Sequence, residues 1–333
     1  MPSAPHKSQV PIVDFAPFLN GTPSDRKSTA TQIYQAFKTV GFVYLINHGV
    51  PQEKVNECFA WSKKFFDLPS EIKNLAPHPP SGRYHKGYSS VGKEKVVQMV
   101  YDPEAVKALR KAPDVKESFE SGRQDDELYP NIWVPEEHIP GFRAFMEEYF
   151  ATCRGTQCQI LRAVALGMGL DETYFDPFHS DRQNQLRLLH YPPTPAKELL
   201  SGVKERIAAH TDFGTLTMLF QDDVGGLEVE DIHQKGVFHP APPVEDAVVV
   251  NIGDFMQRWS NDELKSTMHR VRAPPADDET KMTKARYSVP YFSTANRDAI
   301  IDCLPTCWGE DRPKKYAPIT SGDYIGMRLD ATY

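Results

Sequence analysis

His210 and Asp212 stand two residues apart in the run Arg206 to Phe220, an imidazole and a carboxylate that an extended backbone turns to one side. Ile207, Ala209, Leu216, Met218 and Phe220 around them alternate with the period of strands, which supports that backbone. A further imidazole, His269, follows a predicted strand and turn and opens another apolar run. Two histidines and one carboxylate can hold a metal ion while leaving coordination positions open, a ligand set that suits Fe(II). Arg286 and Ser288, again two apart in the strand-like run Ala285 to Ser293, set a guanidinium fork beside a hydroxyl. Such a pair is a good receptor for a small carboxylate.

With these residues in this order, the chain resembles the iron(II)/2-oxoglutarate-dependent dioxygenases of the isopenicillin N synthase-like group. Further matches are Pro11-Ile12-Val13-Asp14, Gly41 to Val50, Phe65-Phe66-Asp67-Leu68-Pro69, Leu188-Leu189-His190-Tyr191-Pro192 and Val249 to Asp254, so the resemblance runs from Val10 to Arg328. Within the group it is most similar to fungal members, among them thymine dioxygenase and tailoring oxygenases of secondary metabolism. Asp114 to Gly122 also matches the family, without a chemical role that the residues themselves suggest.

The resemblance implies Fe(II) on His210, Asp212 and His269, with 2-oxoglutarate held by Arg286, Ser288 and Tyr191 and O2 as the other co-substrate. The expected reaction oxidises an unactivated C–H bond of a small planar aromatic or heterocyclic molecule. Hydroxylation of a methyl group or a related radical oxidation such as ring expansion would accompany conversion of 2-oxoglutarate to succinate and CO2. Four alternatives stay open: a thymine- or pyrimidine-hydroxylating activity, an oxidase of the same fold that needs no 2-oxoglutarate, a ligand-binding or regulatory protein that keeps the fold without the chemistry, and a zinc hydrolase or isomerase on a similar barrel. One departure is visible: Leu189 stands where plant members commonly carry an Asn two places before the Tyr.

For the substrate, alternation puts Arg187, Leu189 and Tyr191 on one face, while Phe213 and Phe292 supply aromatic walls. The likeness to thymine dioxygenase implies that Asn184, Arg187 and Phe292 meet the ring. The Gly-, Pro- and aromatic-rich stretch 77–90 reads as a loop at the mouth, with Tyr84, His85 and Tyr88 as substrate candidates. His48, in the turn Asn47-His48-Gly49, reads as a turn-stabilising imidazole outside the site.

The elements that must position these residues are short strands between Gln185 and Ser293, including Met256 to Trp259, punctuated by turns such as Asp223-Val224-Gly225-Gly226. They suggest an α+β fold: a double-stranded β-helix (jelly roll) core with N-terminal and backing helices. Pro11 to Phe18 alternates as a strand. Ser24 or Asp25 can cap a helix that Gly41 stops, a second helix covers about 52–66, and a long helical region extends from Pro140 to about Leu170. The expected organisation is a single unit, 1–333, with an N-terminal helical or mixed cover over 1–130 and a catalytic core over 184–295.

A chain of 333 residues with 40% hydrophobic and 25% charged residues can bury a large core. The net charge of −7 and a pI near 5.9, with no compensating basic cluster, argue against nucleic-acid and anionic-membrane partners and for a small-molecule substrate. Five cysteines without a CxxC pair suit reduced thiols. The polar start and the lack of an 18-residue apolar run suit a cytoplasmic protein.

Overall fold

Strand-forming and helix-forming runs alternate through the first half of the chain, and strands dominate the second. The structure, a computed structural model, describes residues 9–81, 83–94, 114–201, 204–273 and 281–330. Residues 1–8 of the polar start lie outside them, as do residues 274–280 of the Pro- and charge-rich stretch 271–284, which reads in the sequence as a surface loop. The first half contains β1 (Ile12–Asp14), α1 (Ala16–Asn20), α2 (Pro23–Thr39), β2 (Phe42–Ile46), α3 (Gln52–Phe66), α4 (Ser70–Lys73), β3 (Gly87–Ser89), β4 (Glu117–Gly122) and α5 (Phe142–Gly167). There follow β5 (Gln185–Tyr191), α6 (Ala196–Leu200), β6 (Ile207–His210), β7 (Leu216–Gln221), β8 (Leu227–Asp231), β9 (Gln234–Pro240) and β10 (Ala247–Ile252). The chain continues with α7 (Asp254–Trp259), β11 (His269–Val271), β12 (Arg286–Ser293), β13 (Ile300–Ile301), β14 (Ile319–Thr320) and α8 (Ser321–Asp330).

Eight strands form a major sheet in the order β1-β2-β10-β7-β12-β5-β4-β3, and four form a minor sheet, β6-β11-β8-β9. Among the described residues of these two sheets, only β1 and β2 pair in parallel; every other pairing is antiparallel. Two antiparallel sheets built this way are the architecture of a jelly roll. The segment expected as a cover supplies four strands of the major sheet, so it is continuous with the core.

Period-2 alternation decides what each strand shows to either side. Leu186 and Leu188 of β5, Leu216, Met218 and Phe220 of β7, Val248, Val250 and Ile252 of β10, and Val289 and Tyr291 of β12 join one apolar cluster with α2, α3 and α5. Their neighbours Leu189, Tyr191 and Val249 join a second cluster with Ile207, Leu227, Val229 and Val271 of the minor sheet. Phe145, Tyr149, Ile160, Leu161 and Val164 form the buried stripe of α5 at helical spacing, as the sequence suggested.

Several expectations need correction. Met256 to Trp259 is not a strand but the helix α7; Asp254 stands in its first turn, and Phe255, Met256 and Trp259 are buried together. The cap of α2 is Thr22, ahead of the expected residues: Thr22 Oγ1 accepts from Asp25 N–H while Asp25 accepts from Thr22 N–H, a capping box. Pro11 to Phe18 divides, because the strand ends at Asp14 and Ala16 begins α1. The stretch 77–90 contains β3, paired with β4, and is therefore not loop throughout. His48 is buried in its turn, with Nδ1 accepting from Val50 N–H at 3.2 Å.

Candidate active site

β6 ends at His210 and β11 begins at His269, and the two residues are direct partners across the minor sheet. His210 Nδ1 lies 2.8 Å from Ala208 O and His269 Nδ1 3.2 Å from Thr267 O. A carbonyl only accepts, so each ring carries its proton on Nδ1 and offers a bare Nε2. The two Nε2 atoms converge on Asp212 Oδ1, at 3.9 and 3.8 Å. The other carboxylate oxygen is engaged: Oδ2 accepts from Thr217 Oγ1 at 2.6 Å and from Asn251 Nδ2 at 2.7 Å.

Ligand atoms of the three residues lie within 4.8 Å of one another. Their charge states suit a cation as well. Burial pushes His210 down to about 3, helped by the neighbouring His269, so the ring is neutral and its lone pair is available. Burial alone would raise Asp212, but His269, His210, Asn251 and Thr217 together hold its carboxyl below the usual range. One bare oxygen and two bare nitrogens, each fixed from behind, fit an Fe(II) ion with positions to spare.

Arg286 and Ser288 approach from the major sheet, on β12, beside Tyr191 of β5, which is the register partner of Arg286. The guanidinium is fully buried; it donates to Gly225 O at 2.9 Å through Nε and to Ser288 Oγ at 3.1 Å through Nη1, and stands 5.0 Å from the Tyr191 ring centroid. Gln221 Oε1, 3.4 Å from Nη2, is a further contact. Arg206 also stands over that ring, 5.9 Å from its centroid; it is 2% exposed, and its Nη1 lacks a partner among the described residues. Burial, then Arg286, pushes Arg206 down to about 10. Two buried cations and an orphaned N–H, with no carboxylate bonded to either among the described residues, fit a ligand that brings its own negative charge. Arg206 was missed in the sequence because it reads as an ordinary first residue of a strand.

One cavity of about 1080 Å³ joins these groups, lined by His210, Asp212 and His269 and by Tyr191, Arg286 and Ser288. Leu189, Phe213, Phe292 and Arg187 line it too. Arg187 donates to Glu94 Oε1 at 3.1 Å and pairs with Glu120 at 2.9 Å, and its guanidinium stands 5.6 Å from the Phe292 centroid. Glu94 itself pairs with Lys116 at 2.9 Å. Nothing in the sequence signals Glu94 or Glu120, since both reach Arg187 from distant segments; β4, the stretch without an evident role, brings Glu120. His78, His85 and Glu120 also cluster within 4.8 Å, but Arg187 stands among them, 3.0 Å from His85 Nε2, and takes the place of a cation there.

Three of the expected substrate residues, Tyr84, Tyr88 and Asn184, lie elsewhere. Tyr88 is not in this cavity: its ring packs on Phe65 in the helix-side core, and its hydroxyl donates to Glu117 at 2.5 Å, because β3 pairs with β4 and draws it inward. Asn184 sits at the edge, donating to Tyr291 OH at 3.0 Å and accepting from Thr294 N–H at 3.3 Å, and it lines an adjoining cleft. His85 lines both spaces, and Tyr84 donates to Pro130 O at 2.7 Å.

Residues 182–295 match the 2OG-Fe(II) oxygenase superfamily, and residues 10–136 match the non-haem dioxygenase in morphine synthesis N-terminal family. The chain belongs to the 2OG-Fe(II) oxygenase superfamily. It is 42% identical over 328 residues to proline hydroxylase buaE of Petromyces alliaceus, covering 98% of this chain and 100% of that one. It is 39% identical to 2-oxoglutarate-dependent dioxygenase frbA of Dothideomycetidae sp., covering 97% of each. Among solved structures, the full-length thymine 7-hydroxylase of Neurospora crassa, in complex with α-ketoglutarate and thymine, superimposes with a TM-score of 0.88 at 40% identity, covering 97% of each chain. As a member of this superfamily the protein is an oxidoreductase that uses Fe(II), 2-oxoglutarate and O2. No helix among the described residues is long and apolar enough to cross a membrane.

Proposed function

We propose that this dioxygenase hydroxylates a C–H bond of a small nitrogen heterocycle, using Fe(II) held by His210 Nε2, Asp212 Oδ1 and His269 Nε2. The distal carboxylate of 2-oxoglutarate is received by Arg286 with the Ser288 and Tyr191 hydroxyls. The observation that carries this reading is that three backed ligand atoms and a buried guanidinium line one cavity. When bound, the metal with 2-oxoglutarate and O2 supplies the oxidising power, converting 2-oxoglutarate to succinate and CO2.

The chain's own residues position and shield. Gly225 O fixes the Arg286 fork, and Arg206 adds positive field behind it. Leu189, Phe213 and Phe292 present apolar surface that excludes water, with Leu189 in place of the amide that plant members offer. Arg187 and Glu94 supply a donor and an acceptor at the wall, complementary to a ring that carries both. Two relatives, one named a proline hydroxylase and the other a thymine 7-hydroxylase solved with thymine, bear the names of small nitrogen rings and support the same substrate class.

The test is succinate formation with L-proline, thymine and methylated arenes in turn. A nitrogen heterocycle should stimulate it and emerge hydroxylated. Stimulation by the arenes alone would overturn the substrate reading, and succinate-free oxygen uptake would favour the 2-oxoglutarate-independent oxidase.

A further inference from the structure

Beside the cavity lies a second cleft of about 870 Å³ that shares His85, Gln185, Thr294, Ile325 and Leu329 with it. Five cations, Arg83, Lys86, Arg123, Arg182 and Arg297, line this cleft against one carboxylate, Asp126. The chain carries a net charge of −7, so such a concentration of positive charge runs against its composition. Asp126 is already committed: it accepts from Arg297 at 3.1 Å and from Tyr129 N–H at 3.1 Å, with Arg123 at 3.9 Å. Asp125, outside the lining, pairs with Arg182 at 2.6 Å.

Lys86 is the decisive residue. It is 7% exposed, and among the described residues no acceptor lies within hydrogen-bonding distance of its ammonium. Gly122 makes room for it, since a Cβ there would meet Lys86 Nζ at 1.8 Å. A buried ammonium without a partner is destabilising in the free protein, and an arriving anion would relieve it.

We infer that this cleft is an anion-binding vestibule that holds a carboxylate or phosphate group carried by the substrate while the same molecule's ring reaches the metal. The five shared lining residues set the two spaces side by side, so a molecule held in the cleft has the cavity next to it. The inference rests on the proposed function and narrows its substrate class to anionic heterocycles, which a neutral free base does not satisfy.

The test is calorimetric titration of the anaerobic Fe(II)·2-oxoglutarate protein with phenyl phosphate, hippurate and the neutral hippuramide. Both anions should bind saturably, and hippuramide at least about tenfold more weakly, the expected worth of one charge-assisted contact. Lys86→Met and Arg123→Gln should each weaken the anions by about tenfold or more and leave hippuramide unchanged. Phenyl phosphate binding without hippurate would assign the site to phosphate, and the converse to carboxylate. No saturable anion binding, equal binding of hippurate and hippuramide, or unaltered anion affinity in both variants would overturn the inference. The visible band of metal-bound 2-oxoglutarate, read in the same samples, reports separately on the other end, so its absence would fault the proposed function and not the vestibule.

Discussion

At the proposed metal end of the cavity, His210, Asp212 and His269 are each held from behind: two backbone carbonyls hold the histidines, and Thr217 and Asn251 hold Asp212. At the vestibule end, cations outnumber carboxylates and Lys86 has no acceptor among the described residues. The first arrangement is complete before any ligand arrives and fixes geometry. The second is incomplete, and its missing charge describes the ligand it awaits. Saturation preserves a shared chemistry, whereas deficit sets which molecule enters.

Mutations on either side should respond in opposite senses, beginning with the largest effect. Asp212→Ala removes the one anionic ligand, so anaerobic titration should find no stoichiometric Fe(II) binding and turnover should fall below detection. Retained iron affinity would break the assignment. Asn251→Ala leaves the ligands in place but frees Asp212 Oδ2, and iron affinity should drop about 10- to 100-fold. An unchanged affinity would show that the supporting bonds contribute nothing.

Lys86→Met should do the reverse and stabilise the protein. Burial pushes Lys86 from 10.5 down to about 8; Arg297 and Arg123 add to this, and Asp126 and Glu120 oppose it. Between those values the unfolded chain binds more protons, so wild-type stability rises with pH across that window. The advantage of Lys86→Met, about 3 kcal/mol at most by this shift, should be full below pH 8 and vanish towards 10.5. Denaturant melts at pH 7 and 10 check the sign, and a variant less stable than wild type at pH 7 would show that Lys86 is structural.

Much of the proposed metal end was legible because strand geometry maps spacing onto direction. Arg286 and Ser288, two apart on β12, reach the cavity wall, as do His210, the last residue of β6, and Asp212 just beyond it. Even the supporting Asn251 belongs to a matched run, on the inward face of β10. Lys86 and Glu94, Arg123, Asn184 and Arg297 come from four separated stretches that only tertiary packing assembles, so no local period announces them. Tyr88 misled for the same reason: a loop-like composition concealed the pairing of β3 with β4. Met256 to Trp259 misled because a short apolar run does not distinguish a strand from a helix of one or two turns.

The most direct test of the central claim is anaerobic. Fe(II) and then 2-oxoglutarate are added to the wild type and to Arg286→Ala, and the visible charge-transfer band of a metal-chelated 2-oxo acid is followed. A saturable band is expected in the wild type. In Arg286→Ala, iron binding should survive, but half-saturation should need about 100-fold more 2-oxoglutarate, as expected for loss of a buried two-pronged ionic contact. A band that saturates equally in both proteins, or iron binding without any band in the wild type, would contradict the assignment of Arg286 and its cavity to 2-oxoglutarate.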